Sequence, residues 1–296
     1  MAEIIKKVLL LFNPKKEIPL EALKKVSDKL SSRGCEIYAF SNVRQKLEDA
    51  GAQSRIYFGD DGVAPDGIDF AIVFGGDGSM IRSAALLSGK EIPVVGINFG
   101  RVGYLAELEA DDISFIDRIV DGDYEIDSRM MLDIRIMRSG ETITCSSPVL
   151  NDAVLSNGPV ASLLTFDVMC NGTKLRTYRA DGVIVATPTG STAYSMSAGG
   201  PILDPAVDAL CVTPICPHAL GVRPVVLNGD SVIELRNIKS RKNSVFLTPD
   251  GRGAMELFPE DRVVISRSDK TTRLIRFKKD GFLGILKNKL SEAEMF

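Results

Sequence analysis

The stretch Asp69-Phe-Ala-Ile-Val-Phe-Gly-Gly-Asp-Gly-Ser-Met-Ile-Arg-Ser-Ala-Ala-Leu-Leu87 decides the fold. It opens with the apolar run Phe70–Phe74. A run this short and this apolar reads as a strand buried on both faces, as in a parallel sheet. Gly75-Gly76-Asp77-Gly78 follows, and Ser79 is expected to cap a helix that carries Met80, Ala84 and Leu87 at helical spacing. A strand, a glycine turn and a helix aim backbone N–H groups and the positive helix end at one point beyond the strand. Phosphate suits that point, because a backbone without side chains lets it approach closely. Asp77 is out of place there unless it accepts a proton from an attacking hydroxyl or holds a Mg²⁺ that bridges phosphates. An Asp in an ordinary strand-to-helix turn would look the same, and the tetrapeptide leaves both readings open. The spacing is neither G-x-G-x-x-G nor G-x-x-x-x-G-K-[ST], so the dinucleotide fingerprint and the Walker loop are both missing.

Working outward, Val8–Phe12 reads as a buried strand, Leu20 to Leu30 as a helix closed by Gly34, and Glu36–Phe40 as a second strand. Residues 41–68 are polar and Gly-rich, with a short helix near 43–51. Val94–Ile97 is a further strand, and the loop from Asn98 to Leu105 follows it. Strands alternate with helices, so residues 1–125 are expected to form a Rossmann-like α/β domain. Ligands on such sheets bind beyond the carboxyl ends of the strands, where Gly75–Gly78 and Asn98–Gly103 would share one rim.

The pattern changes near Tyr124. Met131–Met137 and Leu164–Cys170 alternate with period two, and Asn171-Gly172 supplies a hairpin turn. Val183–Ala186, Val225–Leu227, Val232–Leu235, Val245–Leu247 and Val263–Ser266 add short strands, with one brief helix at Ser191–Ala198. Residues 126–270 therefore read as a β-rich, sandwich-like domain. Residues 271–296, with a helix at Leu283–Leu290, are expected to return to the first domain.

Bulk properties exclude several classes. The chain has 296 residues and a formal net charge of −3, which invites neither nucleic acid nor an anionic membrane. No apolar run approaches the ~18 residues of a spanning helix, and the N-terminus lacks a signal-peptide layout. The 5 cysteines, odd in number and scattered, fit reduced thiols in a cytoplasmic protein. Cys211, Cys216 and His218 contain no Cys-x-x-Cys pair, so packed thiols are favoured over zinc. His218 is the single histidine, which disfavours a histidine-based triad.

The β-rich half carries polar clusters of its own. Asn151 and Asp152 sit in the apolar segment Val149–Val154, where an amide beside a carboxylate can hold a ribose or a base edge, although turn-forming polar residues at a strand end are the plainer reading. Thr187-Pro-Thr-Gly-Ser-Thr-Ala-Tyr-Ser-Met-Ser-Ala-Gly-Gly-Pro201 is uncharged and rich in hydroxyls. It can offer neutral donors and a stacking face on Tyr194, or be a solvated Ser/Thr loop.

Taken together, these segments resemble the NAD kinase family, ATP- or polyphosphate-dependent. The matching segments are Gly75–Gly78, Pro93–Asn98 with Gly100–Leu105, Leu150–Asp152, Arg179–Gly182 with Thr187–Pro201, and Thr213–Leu220 with Arg223-Pro224, in the family's order across about 75–255. The Thr-Pro-Thr-Gly-Ser-Thr-Ala-Tyr run is the specific one, since Gly-Gly-Asp-Gly is shared with diacylglycerol kinases, sphingosine kinases and 6-phosphofructokinases. The resemblance implies transfer of the γ-phosphoryl group of ATP, with Mg²⁺ or another divalent metal, or of a polyphosphate phosphoryl group, to the 2′-hydroxyl of NAD's adenosine ribose, giving NADP. It implies Asp77 as proton acceptor, Asn151 and Asp152 as a pair that holds NAD, and Asp181 with Thr192, Ala193, Tyr194, Ser195, Met196 and Ser197 as lining for the adenine and nicotinamide pockets. Gly75, Gly76, Gly78, Tyr104, Ser162 and Arg179 complete the expected binding set. It also implies a homodimer or homotetramer in which a neighbouring subunit completes the NAD site. Two departures stand out: the family's usual Asn-Glu is Asn151-Asp152 here, and its frequent Asp-Gly-Gln is Asp250-Gly251-Arg252. A kinase of another acceptor, lipid or sugar phosphate, and a nucleotide-sensing module without turnover are the rival readings. No apolar groove or basic face favours the lipid kinase, and a carboxylate at Asp77 gains a pure phosphate binder little.

Overall fold

All five residues of Phe70–Phe74 are buried, as an inner strand of a parallel sheet requires. A computed structural model describes residues 5–52, 56–100, 103–106, 108–109, 113–158, 163–240, 244–277 and 281–293. The chain divides into two units. One holds the described residues up to Ser128 and those from Thr272 onward; the other holds Arg129–Thr271.

The first unit runs β1 (Lys7–Phe12), α1 (Leu20–Ser32), β2 (Glu36–Phe40), α2 (Arg44–Asp49), β3 (Ile56–Gly59), β4 (Phe70–Phe74), α3 (Asp77–Leu87), β5 (Val94–Asn98), β6 (Leu108–Glu109) and α4 (Phe115–Asp121). Its sheet order is β3-β2-β1-β4-β5, every pair parallel. The chain steps one way from β1 to β3 and the other way from β4 to β5. The β1/β4 gap is therefore the switch point where open α/β sheets bind ligands. Leu23, Val26 and Leu30 of α1 pack with Phe70, Ile72, Ile97 and Phe115 in one core. Met80, Ala84 and Leu87 are among the buried positions of α3.

Ser79 does not cap α3. The helix begins at Asp77 with Gly76 as its N-cap, and Ser79 is a buried residue of the first turn. Starting three residues early places an acidic side chain at the positive helix end, where it is favoured. β3 and α4 lie where the sequence assigned no strand or helix. Asp60-Asp61-Gly62 beside β3 and the break before α4 leave too little periodicity for either to register.

The second unit begins within β7 (Glu125–Arg138). It continues through β8 (Glu141–Thr144), β9 (Asp152–Asn157), β10 (Leu164–Cys170), β11 (Thr173–Ala180), β12 (Gly182–Ala186), a 3-10 turn at Thr189–Thr192, α5 (Tyr194–Ser197), β13 (Ala209–Ile215), β14 (Val225–Asn228), β15 (Ile233–Lys239), β16 (Val245–Pro249), β17 (Met255–Leu257) and β18 (Arg262–Arg276). One sheet has the order β14-β13-β12-β9-β16-β17; facing it, β11, β10, β15 and β18 pair in turn. Leu155, Val183, Val185 and Leu210 of the first sheet share a core with Phe166, Val168, Leu235 and Val263 of the second, which makes a sandwich. Asn171 (φ 50°) and Gly172 (φ 79°) form the β10–β11 turn with the positive φ values that a tight hairpin needs. The last helix, α6 (Gly281–Ala293), belongs to the first unit, where the rings of Phe282 and Tyr104 lie 6.4 Å apart.

Candidate active site

In the first unit the site is built where β4 ends. Gly75 takes a φ of 133°, and its N–H donates to the Ile97 carbonyl of β5 at 2.8 Å. That ties the glycine turn to the next strand end. Asp77 then turns its carboxylate onto the loop after β5. Oδ2 accepts the Tyr104 N–H at 2.9 Å; Oδ1 accepts those of Leu105 at 3.0 Å and Ala106 at 3.3 Å. Gly103 makes this contact possible, since a Cβ there would lie 1.9 Å from Asp77 Oδ1. Arg276 grips the same turn from its carbonyl side, donating to Leu105 O at 3.1 Å and Tyr104 O at 3.3 Å, and is paired with Asp127 at 3.3 Å. Burial, and then the Asp77 charge, raise the Tyr104 hydroxyl above its usual range. The two loops expected to share a rim thus meet through one carboxylate. Arg101 and Val102 lie outside the described residues.

Beside the glycine turn, at the β1/β4 switch point, is a cleft of about 250 Å³ lined by Phe12, Asn13 and Pro14 after β1, Asn42 after β2, and Ser79, Arg82 and Ser83 of α3. Arg82 Nη2 donates to Ser79 Oγ at 3.1 Å. Guanidinium, hydroxyl and amide groups at a helix start suit an anion.

In the second unit a cavity of about 360 Å³ is lined by Asn151, Asp152, Val154, Ser156, Ala193, Tyr194, Thr248, Asp250 and Gly251. Asn151 is nine-tenths buried, and its Oδ1 has no hydrogen-bond partner. Such an atom is costly unless a ligand satisfies it. The backbone beneath it is clamped twice. Thr187 Oγ1 donates to the Leu150 carbonyl at 2.6 Å and accepts the Gly190 N–H at 3.0 Å, while the Thr187 N–H donates to the Asn151 carbonyl at 2.8 Å. From the other side, the Asp250 carboxylate accepts the N–H groups of Leu150 (3.0 Å), Asn151 (2.7 Å) and Asp152 (3.2 Å). Burial, and then the charge of Asp250, push the Asp152 carboxyl up to about 7.

The other expected residues scatter. Ala193 and the exposed Tyr194 border the cavity, and Met196 and Ser197 are exposed on the next turn. Ser195 is buried, with its hydroxyl 2.9 Å from Thr213 Oγ1; Thr192 Oγ1 donates to the Thr189 carbonyl at 3.1 Å. Arg179 is exposed on β11, and Asp181 precedes β12, at the end where Gly182 pairs with Ser156. Asp152 pairs with Ala186 at the opposite end, five residues or ~17 Å away at the usual strand rise. Ser162 lies outside the described residues. Thr187, Gly103 and Arg276 were not singled out individually by the sequence reading. Their signal was present only as a Thr and a Gly in quoted loops, and Arg276 ends a strand far along the chain. Among the described residues no three His, Cys, Asp or Glu side chains gather as a metal cluster.

A glycine turn at a sheet switch point and a cavity with an unsatisfied buried amide define a nucleotide-binding class. The comparisons narrow it. Residues 8–124 match the model of the ATP-NAD kinase N-terminal domain, and residues 150–277 that of the ATP-NAD kinase C-terminal domain. The chain is 39% identical over 241 residues to the NAD kinase of Geobacter sulfurreducens, covering 80% of this chain and 84% of that one. Its fold is similar to that of yeast NADH kinase complexed with NADH (TM-score 0.85, 23% identity, 97% of this chain and 88% of that one). It is also similar to an NAD kinase from Archaeoglobus fulgidus in complex with ATP (TM-score 0.71, 22% identity, 95% and 97%). The chain belongs to the ATP-NAD kinase family.

Proposed function

We infer that this chain phosphorylates NAD with ATP, transferring the γ-phosphoryl group to the 2′-hydroxyl of the adenosine ribose. The observation that carries the reading is the Asp77 carboxylate, standing directly after the Gly75–Gly76 turn at the first residue of α3. The Asn151–Asp152 cavity, whose buried amide oxygen has no partner, supports an NAD site.

Phosphoryl transfer runs through a loose transition state with charge on the equatorial oxygens, so the protein chiefly aligns reactants and stabilises charge. The glycine turn, the α3 N-terminus and Arg82 would hold the phosphates at the switch-point cleft. Asp77 Oδ1 is taken up by two N–H groups, whereas Oδ2 accepts one. Oδ2 therefore keeps a lone pair for the ribose hydroxyl. A carboxylate is a weak base, with a reference pKa of about 3.9. That is tolerable when the proton leaves late, as the oxygen–phosphorus bond forms. Asp77, within the glycine turn, is the residue that would hold a divalent metal brought with ATP, which would supply charge neutralisation of the phosphates.

The reading extends to a homodimer or homotetramer. Arg179 and Asp181, a β12 length away from Asp152, would then serve the site of a neighbouring subunit. Five free cysteines fit work in a reducing cytoplasm. The test is turnover of Asp77→Asn. A kcat lower by about 10² to 10⁴, with the fold kept, is expected; near-full turnover would remove Asp77 from the chemistry.

A further inference from the structure

Among the residues lining the cavity is a carboxylate with no assigned role. The side chain of Asp250 is fully buried, and it sits at the tip of the β16–β17 connection. Asp250 (φ 47°) and Gly251 (φ 66°) are both left-handed, and the Arg252 N–H returns to the Pro249 carbonyl at 2.9 Å. This is the turn that Asp-Gly favours. It points the carboxylate at three consecutive N–H groups of Leu150, Asn151 and Asp152, while the Asp250 N–H donates to the Asp152 carbonyl at 2.9 Å. Arg252 Nη2 lies 3.4 Å from Asp250 Oδ2 on the outer side. Asp152 and Asp250 thus both line the cavity, and the Arg252 guanidinium pairs with Asp250.

We propose that Asp250 is the positioning residue of the nucleotide cavity, holding the Leu150–Asp152 backbone in its binding shape and, with Arg252 as its counter-charge, setting whether Asp152 meets the nucleotide as an acid or as a carboxylate. The proposal rests on the reading of this cavity as the NAD site.

The electrostatics follow from the geometry. Two carboxyl groups buried side by side cannot both ionise freely, so near neutral pH the pair holds one proton. Burial raises the Asp250 carboxyl, and the three N–H donors and Arg252 partly offset that by favouring its ionised form. The proton therefore resides on Asp152, which burial and Asp250 both push up. Around Asp152, the β16–β17 turn contributes Asp250, α5 contributes the Tyr194 phenol, β12 contributes the neutral Ala186, and the Thr187–Thr192 turn contributes only hydroxyls. An ionised Asp152 accepts from hydroxyls, so NAD should bind more tightly as pH rises through the neutral range.

The experiment is calorimetric titration of the full-length protein with NAD, without ATP, from pH 5.5 to 8.5. Asp250→Asn keeps an oxygen for two of the three N–H groups but removes the charge. Its binding transition should move down by about one pH unit. Arg252→Gln leaves every N–H bond in place and removes the cation, so its transition should move up. Asp250→Ala should weaken NAD binding about 10- to 100-fold. A merely structural Asp250 would weaken binding equally at all pH values and give no opposite shifts; that result overturns the proposal. If Asp250→Asn fails to fold, the upward shift of Arg252→Gln, a half-exposed residue, decides alone. Asn151→Ala separates the two failures. Weakened binding there with wild-type behaviour in the Asp250 and Arg252 variants sinks the proposal, and unchanged binding there sinks the NAD-site reading.

Discussion

The Asp77 carboxylate accepts three backbone N–H bonds, and this fixes what a change beside it will do. Gly103→Ala would place a Cβ 1.9 Å from Asp77 Oδ1. The turn must then open or the carboxylate must swing away. We expect a stability loss of about 1–3 kcal/mol in urea melts, together with a fall in turnover although Asp77 is intact. Asp152 makes a separate prediction. Burial and the Asp250 charge raise its folded pKa to about 7, well above the ordinary carboxylate range, so the folded state binds the extra proton across that window. Stability from this group is lost as pH rises from about 4 to 7, and above that the penalty is complete. Asp152→Asn should therefore be more stable than the parent at pH 8 and lose that advantage toward pH 4, as compared by urea melts across the range. Asp77 and the Asn151-Asp152 pair were visible in the sequence as polar residues in apolar surroundings. Asp250 was visible only as part of a motif, because nothing local says that its side chain reaches back about 100 residues to Leu150.

At the scale of elements, the run Phe70–Phe74 and the helix after it were legible because a short apolar run and helical spacing are local signals. The end of the helix nearest the site was misread: Ser79 is a good capping residue by type, yet Gly76 caps the helix three residues earlier and Asp77 begins it. The hairpin at Asn171-Gly172 was equally legible, since both residues tolerate positive φ. By contrast β11 is exposed along most of its length and β13 is buried throughout, so neither alternates, and both escaped. The segment Ser191–Ala198, expected as one helix, is a 3-10 turn followed by four helical residues, because Ala193 between them takes a non-helical backbone (φ −99°, ψ −129°). Just before this turn, the Thr187 hydroxyl holds both the Leu150 carbonyl and the Gly190 N–H. Thr187→Val keeps the shape and strands both groups in a buried place. A loss of about 1–3 kcal/mol is expected in denaturant melts, with a raised KM for NAD and a smaller effect on kcat.

For the whole molecule, the α/β unit supplies a phosphate turn with a carboxylate, and the sandwich supplies a cavity whose buried amide oxygen awaits a partner. Both patterns, period two in one half and alternating strands and helices in the other, can be read from the chain, whereas β18, which runs from one unit into the other, cannot: only its Val263–Ser266 portion carries a strand signal. The most direct measurement is of the product. The purified protein is incubated with NAD, ATP and Mg²⁺, and the mixture is coupled to a dehydrogenase specific for NADP. The account predicts NADP formed at the expense of ATP. ATP consumed without NADP, or NAD bound and left unphosphorylated, would contradict it.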